Sequence, residues 1–339
     1  MEIEIINSNK PLTFDLKKLT KSNIFFQSEK AYFLFKAVAG YKPIVVVAKV
    51  NKKLIASILA VIISETGLKK HLSKRCIIWG GPVFYEELSK KNEVFSKMLS
   101  SLNRHHSAIY TEWRNLTDNK SFKDAFLENG FSFHEHLNYI VKVSEDETES
   151  LKRLNTSKRR QVRKSIKQGA TISKASSMEE VRKFYKILSE LYRTKVKKPL
   201  PQLAFFETFF KQEQGVFLMI YKQKELLGGI MCPIDQTTIY EWYIAGLDDK
   251  YNNIYPSVLV TWAPIAYATK NGLKYFDFLG AGKPDEDYGV REFKSKFGGE
   301  LVEYGRYKRI NKPLLYKIGL LGLKILQKIN TNKKRVVHC

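Results

Sequence analysis

The stretch Phe293-Lys294-Ser295-Lys296-Phe297-Gly298-Gly299 has a near-copy earlier in the chain. The copy reads Phe122-Lys123-Asp124-Ala125-Phe126 and is followed by Gly130. Both copies are preceded by the same pattern of apolar strands, at 43–63, 109–113, 215–234 and 275–278. The two lysines lie 171 residues apart, a separation that suits one small domain and is too long for a solenoid repeat. The sequence therefore predicts that one domain occurs twice.

The order of the predicted elements favours mixed sheets over a nucleotide-binding βαβ unit. In each half, antiparallel strands come first, and a helix, a further strand and the Phe-Lys helix follow. Long single strands are predicted over 131–143 and 237–245. An acidic cluster at 145–149 opens a basic helix and marks the domain junction. We predict an α+β protein with domains at 1–149 and 150–311 and a basic amphipathic segment at 312–339.

The composition is that of a folded protein with room for two domains. The chain has 339 residues, of which 44% are hydrophobic. Its three cysteines have no partner at CxxC spacing, which argues against a disulfide framework and a zinc site and suits a reducing cytoplasm. Residues 1–4 have neither the basic nor the apolar part of a signal peptide, and no run reaches the roughly 20 apolar residues of a spanning helix. We expect a cytoplasmic monomer.

The net charge of +24 indicates a polyanionic partner. Residues 151–169 contain eight basic side chains and no acid, whereas a solvated helix face normally mixes both signs. The alternative is that lysine and arginine simply fill exposed positions. The candidates for contact with a nucleic acid are Arg159, Arg160, Arg163 and Lys164.

The glycine-flanked Phe-Lys motif, after a strand that ends in Phe276-Asp277-Phe278-Leu279-Gly280, resembles the Fem family. These enzymes transfer aminoacyl groups onto peptidoglycan precursors. The resemblance implies two tandem GNAT-like acyltransferase domains, the first for acceptor binding and the second catalytic. It also implies that Lys294 stabilises the charge of the acyl-transfer centre and that Phe293 lines it. The alternative is that Phe293 and Phe297 bury one helix face while Lys294 is solvated.

Further side chains could contact substrate. The family binds its acceptor with a lysine near the first helix, and Lys36 lies close to that place. Strand alternation puts Glu112 and Arg114 on one face, and Asp277 ends the equivalent strand, so all three are candidates. Tyr243 could shape the site. Strand-end salt bridges and aromatic core packing are the competing interpretations. The pair His134 and His136 has no further ligands in the sequence, and we predict no metal.

The turn at 251–257 bears on the donor. Acetyl-CoA enzymes of the GNAT fold hold pyrophosphate with a glycine-rich turn before a helix. This turn has no glycine and contains Pro256, which favours another donor. The resemblance implies aminoacyl-tRNA, with no cofactor. An N-acyltransferase that uses acyl-CoA or an acyl carrier on a nucleotide sugar or surface polysaccharide is the alternative. A non-enzymatic nucleic-acid-binding protein is the second alternative.

The C-terminal segment 313–335 combines apolar residues with a stripe of lysines. Such a segment can lie on an anionic membrane surface or pack on the first domain. The membrane interpretation suits a lipid-linked precursor as acceptor, although a nucleotide-linked cell-wall precursor fits the resemblance equally. We therefore expect a peripheral location at the inner face of the membrane.

Overall fold

A computed structural model describes residues 1–7, 24–65, 73–248 and 250–322 of the chain. The chain divides into two compact units. The first contains Phe26–His134 and the chain from Gly305 onward, and the second contains Glu135–Tyr304. The boundary between the units therefore lies at 134/135, before the domain junction that the acidic cluster predicted at 149/150.

The first unit is a mixed sheet with helices. Its strands are β1 Glu2–Asn7, β2 Tyr41–Val50, β3 Lys53–Ile63, β4 Arg75–Trp79, β5 Val83–Phe84, β6 Tyr110–Arg114, β7 Ser132–His134 and β16 Arg306–Ile310. Its helices are α1 Glu29–Ala37, α2 Lys91–Arg104, α3 Lys123–Glu128 and α10 at 313–322. The main strand order is β1-β2-β3-β4-β6-β16-β7, with β4 and β6 parallel.

The second unit contains two four-stranded sheets. Its strands are β8 Asn138–Lys142, β9 Ala170–Lys174, β10 Gly215–Lys222, β11 Glu225–Pro233, β12 Thr238–Tyr240, β13 Tyr243–Gly246, β14 Tyr275–Asp277 and β15 Glu300–Val302. Its α-helices are α4 Glu147–Arg153, α5 Thr156–Lys167, α6 Met178–Leu191, α7 Leu203–Lys211, α8 Pro256–Lys270 and α9 Gly289–Ser295. The strand orders are β13-β11-β10-β9 and β12-β14-β8-β15.

The strands of the two units are arranged alike, and in each unit one strand pairs with strands that are distant from it in the chain. In the first unit β16 lies between β6 and β7, and in the second unit β8 lies between β14 and β15. The registers of the corresponding strand pairs also agree. Glu112 of β6 is paired with Lys308 of β16, and Asp277 of β14 is paired with Ile140 of β8. Glu112 and Asp277 are therefore equivalent positions of a duplicated fold. Because β8 belongs to the second unit, the boundary between the units lies before this strand and differs from the predicted one.

Two strands that the sequence predicts as continuous are each divided into two in the structure. The segment 131–143 forms β7 in the first unit and β8 in the second, because residues 135–137 carry the chain from one sheet to the other. The segment 237–245 breaks at Glu241 and Trp242 into β12, which pairs with β14, and β13, which pairs with β11. Alternation of apolar residues could not reveal either break, because it continues on both sides.

Apolar packing accounts for the helices of both units. In the first, Phe95 of α2 and Phe126 of α3 pack edge-on against Trp113, with ring centroids 5.2 and 5.3 Å away. In the second, α8 is apolar nearly all round and almost completely buried, as expected of a helix inside a domain. Helices of this kind hold the adjacent strands in place, which positions the side chains described below.

Helix α10 covers the described part of the predicted amphipathic segment. Tyr316 packs edge-on against Tyr110 at 5.6 Å, so the helix packs against β6. Leu314, Ile318 and Leu321 are exposed. The rest of the segment, 323–339, lies outside the described residues. No helix in the described ranges is long and apolar enough to cross a membrane.

Candidate active site

Lys294 is a buried cation. Lys294 is 8% exposed, although it lies on the short helix α9, which begins after a glycine-rich loop. The ammonium Nζ donates to the backbone oxygens of Phe278 at 3.1 Å and Gly280 at 2.8 Å. It also forms an ion pair with Glu241 Oε1 at 2.7 Å. This burial excludes the alternative in which Lys294 is an ordinary solvated lysine.

Glu241 reaches Lys294 because the strand breaks where it does. At the break, the Glu241 amide donates to the backbone oxygen of Asp277 at 2.8 Å, and the Trp242 amide donates to Met231 at 3.1 Å. The break therefore lies between the two four-stranded sheets, and Glu241 is 8% exposed there. A buried ion pair carries a large desolvation penalty and is a common mark of a functional site.

Sequence reasoning missed Glu241. The available signal was one carboxylate within the apolar and aromatic run Ile239-Tyr240-Glu241-Trp242-Tyr243. An acid inside a buried run needs a cationic or hydrogen-bonding partner. The partner, Lys294, is 53 residues further along the chain, so local patterns could not identify it.

Asp277 organises the loop whose oxygens receive Lys294. Its Oδ1 accepts hydrogen bonds from Asn138 Nδ2 at 2.7 Å and the Leu279 amide at 2.6 Å. Asn138 Oδ1 in turn accepts from the Gly280 amide at 2.7 Å. Burial raises the pKa of Asp277 to about 6, against the opposing effects of these hydrogen bonds and of the Lys294 charge. Asp277 thus fixes the turn that presents the two backbone oxygens to Lys294.

Arg291 holds the remainder of this loop from within α9. Its guanidinium donates to the backbone oxygens of Ala281 at 3.0 Å, Pro284 at 3.1 Å and Glu286 at 2.6 Å. It also donates to the backbone oxygen of Lys283. One side chain therefore fixes the loop ahead of the Lys294 helix, and sequence reasoning did not single it out.

Aromatic side chains lie near the buried ion pair, and the ring of Phe278 is 5.0 Å from the Lys294 ammonium. Phe293 packs against the core, with Phe297 at 5.2 Å and the Lys158 ammonium 4.4 Å above its ring. Burial and then the Glu241 charge raise the pKa values of Tyr192 and Tyr288, so both phenols lie within the field of that carboxylate. The site is thus a low-dielectric place in which a fixed cation acts strongly.

Tyr243 belongs to a separate aromatic cluster. It stacks on Trp242 at 5.8 Å and meets the ring of Phe206 edge-on at 5.1 Å. Its ring is also 6.4 Å from that of Tyr192. Tyr243 therefore packs among aromatic side chains, of which Tyr192 lies in the field of Glu241.

The amino end of α8 is already occupied by groups of the chain. Pro256 at its first position has no amide hydrogen, and the Ser257 amide donates to Asp248 Oδ1 at 2.8 Å. The amides of Val258 and Leu259 both donate to the backbone oxygen of Tyr255 at 3.0 Å. A carboxylate thus takes the position where an anion would bind at a helix amino end.

Comparison with known proteins identifies the segment that carries this geometry. Residues 219–321 match the FemAB family. The match covers less than a third of the chain. The matched segment includes Glu241, Asp277, Phe293 and Lys294, and the match confirms the predicted resemblance to the Fem family.

The chain is similar to part of a curated relative. The aminoacyltransferase FemA of Staphylococcus epidermidis is 33% identical over 79 residues, which are 22% of this chain and 19% of FemA. The chain therefore spans about a fifth of the length of the curated relatives it matches.

Two solved structures confirm the predicted fold of tandem GNAT-like domains. The crystal structure of FemX covers 94% of this chain and 99% of FemX, with a TM-score of 0.68 and 15% sequence identity. A tandem GNAT protein from the clavulanic acid biosynthesis pathway covers 91% of this chain and 99% of that protein, with a TM-score of 0.54 and 7% identity.

The basic helix α5 lies in the same unit as Lys294 and Glu241. Arg160, Arg163 and Lys164 are exposed, and Arg159 is half-buried. Lys164 Nζ donates to Asn253 Oδ1 at 2.6 Å, and Arg159 donates to the backbone oxygen of Lys152 at 3.3 Å. Their role in tRNA binding stays a prediction.

The structure places the other predicted substrate contacts in the first unit. Lys36 is exposed in the last turn of α1. Glu112 and Arg114 form an ion pair at 2.7 Å, and Glu112 is also 3.4 Å from Arg306 and from Lys308. The last two residues were missed because β16 is almost 200 residues away in sequence. No cluster of three metal-ligating side chains occurs among the residues that the structure describes.

Proposed function

We propose that this protein is an aminoacyltransferase of class EC 2.3 that moves an aminoacyl group from aminoacyl-tRNA to an amine of a peptidoglycan precursor. The observation that carries the proposal is the buried Lys294, held by Glu241 and two backbone oxygens within a segment of the FemAB family. The proposed division of labour assigns catalysis to the second unit and acceptor binding to the first.

The reaction needs a cation where negative charge develops. The acceptor nitrogen attacks the ester carbonyl carbon, a C–N bond forms, and the carbonyl oxygen becomes an oxyanion. The intermediate then collapses, the C–O bond to the tRNA ribose breaks, and the proton that the attacking nitrogen loses is balanced by the one that the ribose oxygen gains. A preorganised ammonium that meets the oxyanion lowers this barrier by several kcal/mol, about 3 in measured cases. Lys294 is the ammonium that we assign to this role.

Glu241 determines how Lys294 can act. A buried ammonium without a counter-ion would tend to lose its proton, because burial disfavours the charged form. The carboxylate at 2.7 Å supplies that counter-ion, and the oxygens of Phe278 and Gly280 fix the direction of the side chain. When an oxyanion develops, one N–H of Lys294 turns toward it while the others keep their acceptors.

Two features support tRNA over coenzyme A as donor. The Asp248 carboxylate and Pro256 leave the amino end of α8 unsuited to a pyrophosphate. Helix α5 presents exposed Arg160, Arg163 and Lys164 without any acid on the helix. Phosphate contacts by such a basic surface supply most of the affinity of proteins for nucleic acids.

The exposed face of α10 suits an acceptor held at a membrane surface. Leu314 is 77% exposed and Leu321 is 60% exposed. An apolar face of this kind can insert at the level of the lipid headgroups. We therefore propose a lipid-linked precursor as one form of the acceptor, with a nucleotide-linked precursor as the other.

Charge reversal on α5 is expected to weaken tRNA binding. In the variant R160E/R163E two exposed cations become anions, and the slope of log affinity against log salt should fall by roughly one for each phosphate that the protein no longer neutralises. The measurement is tRNA binding by filter retention or fluorescence anisotropy over a range of roughly 50 to 200 mM salt. The control K186E/K211E changes net charge equally at other positions of the same unit and should keep the wild-type slope. Equal slopes in all three proteins would remove α5 from the donor site.

Acetyl-CoA is expected not to bind tightly. The chain's own groups occupy the amides at the start of α8, so calorimetry should show no saturable binding at micromolar CoA. In D248A the Ser257 amide is released, and any gain of weak CoA binding in that variant would locate the obstruction. Saturable micromolar binding to the wild type would instead favour the N-acyltransferase that uses an acyl-CoA donor.

A further inference from the structure

The first unit contains a cluster of cations around a single buried carboxylate. Glu112, 7% exposed, is 2.7 Å from Arg114, 3.4 Å from Arg306 and 3.4 Å from Lys308. We call Arg114, Arg306 and Lys308, with Glu112 between them, the β6–β16 cluster. Three positive charges face one negative charge, so the cluster carries a surplus of two.

The second unit shows what this position looks like without the surplus. By strand register Glu112 is equivalent to Asp277, and Arg306 begins β16 as Asn138 begins β8. In the second unit the carboxylate accepts from the neutral amide of Asn138. In the first unit the equivalent position is a guanidinium. At this position, the carboxylate of the second unit accepts a hydrogen bond from a neutral amide, whereas the carboxylate of the first unit has three cationic neighbours.

The cations of the cluster retain free donor capacity. Each guanidinium has five N–H donors, and among the described residues Arg114 and Arg306 each contribute one hydrogen bond to Glu112. The Arg114 guanidinium lies over the ring of Trp79 at 5.2 Å, and the Lys308 ammonium lies 5.7 Å from the ring centre of Tyr110. The three side chains are between 24 and 33% exposed, so their remaining donors are within reach of a ligand.

The pKa values of the cluster agree with its surplus of positive charge. Burial and the neighbouring Arg114 lower the pKa of Arg306 to about 9. Burial alone would raise the pKa of Glu112, but Arg114, Arg306 and Lys308 outweigh it and hold the pKa at about 2. The carboxylate is thus ionised at any physiological pH and still does not balance the cations. An added anion would.

We propose that Arg114, Arg306 and Lys308 bind a phosphate or diphosphate group. Guanidinium groups match phosphate oxygens with paired N–H donors, and charge-assisted bonds of this kind are about twice as strong as neutral ones. The proposal rests on the proposed function only where it assigns the group to the acceptor, as the diphosphate that links a precursor to its nucleotide or lipid. The competing interpretation is an ion-pair network that only joins two strands.

Direct binding of inorganic pyrophosphate tests the site. Calorimetry on the full chain should give saturable binding, weakened roughly tenfold or more in R306Q. The control K123M removes a cation that is exposed on α3 of the same unit and should bind as the wild type does. Equal affinities for wild type and R306Q, or no binding to either at millimolar pyrophosphate, overturn the proposal.

The variant E112Q separates a binding site from a structural network, even if R306Q folds poorly. It keeps the side-chain shape but removes the one negative charge that opposes an anion. We expect pyrophosphate to bind several-fold more tightly and to raise the thermal midpoint of E112Q more than that of the wild type. A purely structural network predicts an E112Q protein that is less stable and gains nothing from pyrophosphate.

Kinetics identify the source of the phosphate. If it belongs to the acceptor, R306Q should raise the KM for a nucleotide-linked precursor while the KM for aminoacyl-tRNA stays the same. An unchanged acceptor KM together with abolished pyrophosphate binding overturns the assignment to the acceptor. Failure to transfer to any cell-wall precursor would refute the proposed function, while the pyrophosphate measurement would still decide on the site.

Discussion

Lys294→Met is expected to lower kcat by roughly a hundredfold or more, with little change in the KM for either substrate. The ammonium is buried and held by Glu241, Phe278 and Gly280, so a transition-state oxyanion meets it when only one N–H changes its acceptor. Methionine keeps most of the length of the side chain but removes the charge and the three N–H donors. The measurement is steady-state transfer from charged tRNA to a precursor, with circular dichroism to confirm folding.

The matched control is Lys123→Met in the first unit. Lys123 occupies the corresponding place in the repeated motif, but its side chain is exposed, whereas Lys294 is buried. A surface substitution of this kind changes stability by less than about 0.5 kcal/mol, and turnover should remain near the wild-type value. Small and equal losses at the two positions would show that Lys294 is not the catalytic cation.

The duplication and the position of Lys294 could be predicted from sequence because both depend on local patterns. The Phe-Lys motif, its glycines and the preceding strands each lie within about 20 residues, and periodicity of about 2 or 3.6 identifies such elements. The registers of Glu112 and Asp277 confirm that the two units repeat one arrangement, down to the position of a single carboxylate.

The sheets that β8 and β16 join could not be predicted, because hydrophobic alternation does not indicate which sheet a strand joins. Residues 131–143 have the pattern of one strand, yet their two halves pair with β16 and with β14 and β15. Arg306 and Lys308 lie in the first unit because β16 pairs with β6 and β7. Their approach to Glu112 depends on pairing across almost 200 residues, so local patterns indicated only the Glu112–Arg114 part of the cluster.

Glu241 was missed for a different reason. The run from Thr238 to Gly246 has the composition of one strand, and the break at Glu241 comes from competition between two pairing partners, β11 and β14. The break is what turns the carboxylate toward Lys294. A side chain whose partner is fixed only by tertiary structure gives no signal in the sequence beyond its own unusual polarity.

Glu241→Gln is expected to lower both stability and turnover through its effect on Lys294. Glutamine keeps the shape of the side chain and an accepting oxygen. It leaves the Lys294 ammonium without a counter-ion at a place where only 7% of the Glu241 side chain is exposed. We expect the free energy of unfolding to fall by about 1 to 3 kcal/mol, the usual penalty for a poorly satisfied buried group. Turnover should fall by roughly tenfold to a hundredfold, since the cation is no longer held in place. Urea unfolding and steady-state kinetics measure the two effects.

The double variant K294M/E241Q shows whether Glu241 acts through Lys294. If Glu241 is a positioning residue, removing it after Lys294 should cost no further turnover, and the double variant should be as slow as K294M alone. Its loss of stability should be smaller than the sum of the two single losses, because no unpaired charge remains. Independent, multiplicative losses in kcat would instead mean that Glu241 contacts the reacting amine itself and receives its proton. In that case the E241Q defect should shrink with hydroxylamine, a nucleophile that is largely unprotonated at neutral pH, while the K294M defect should stay.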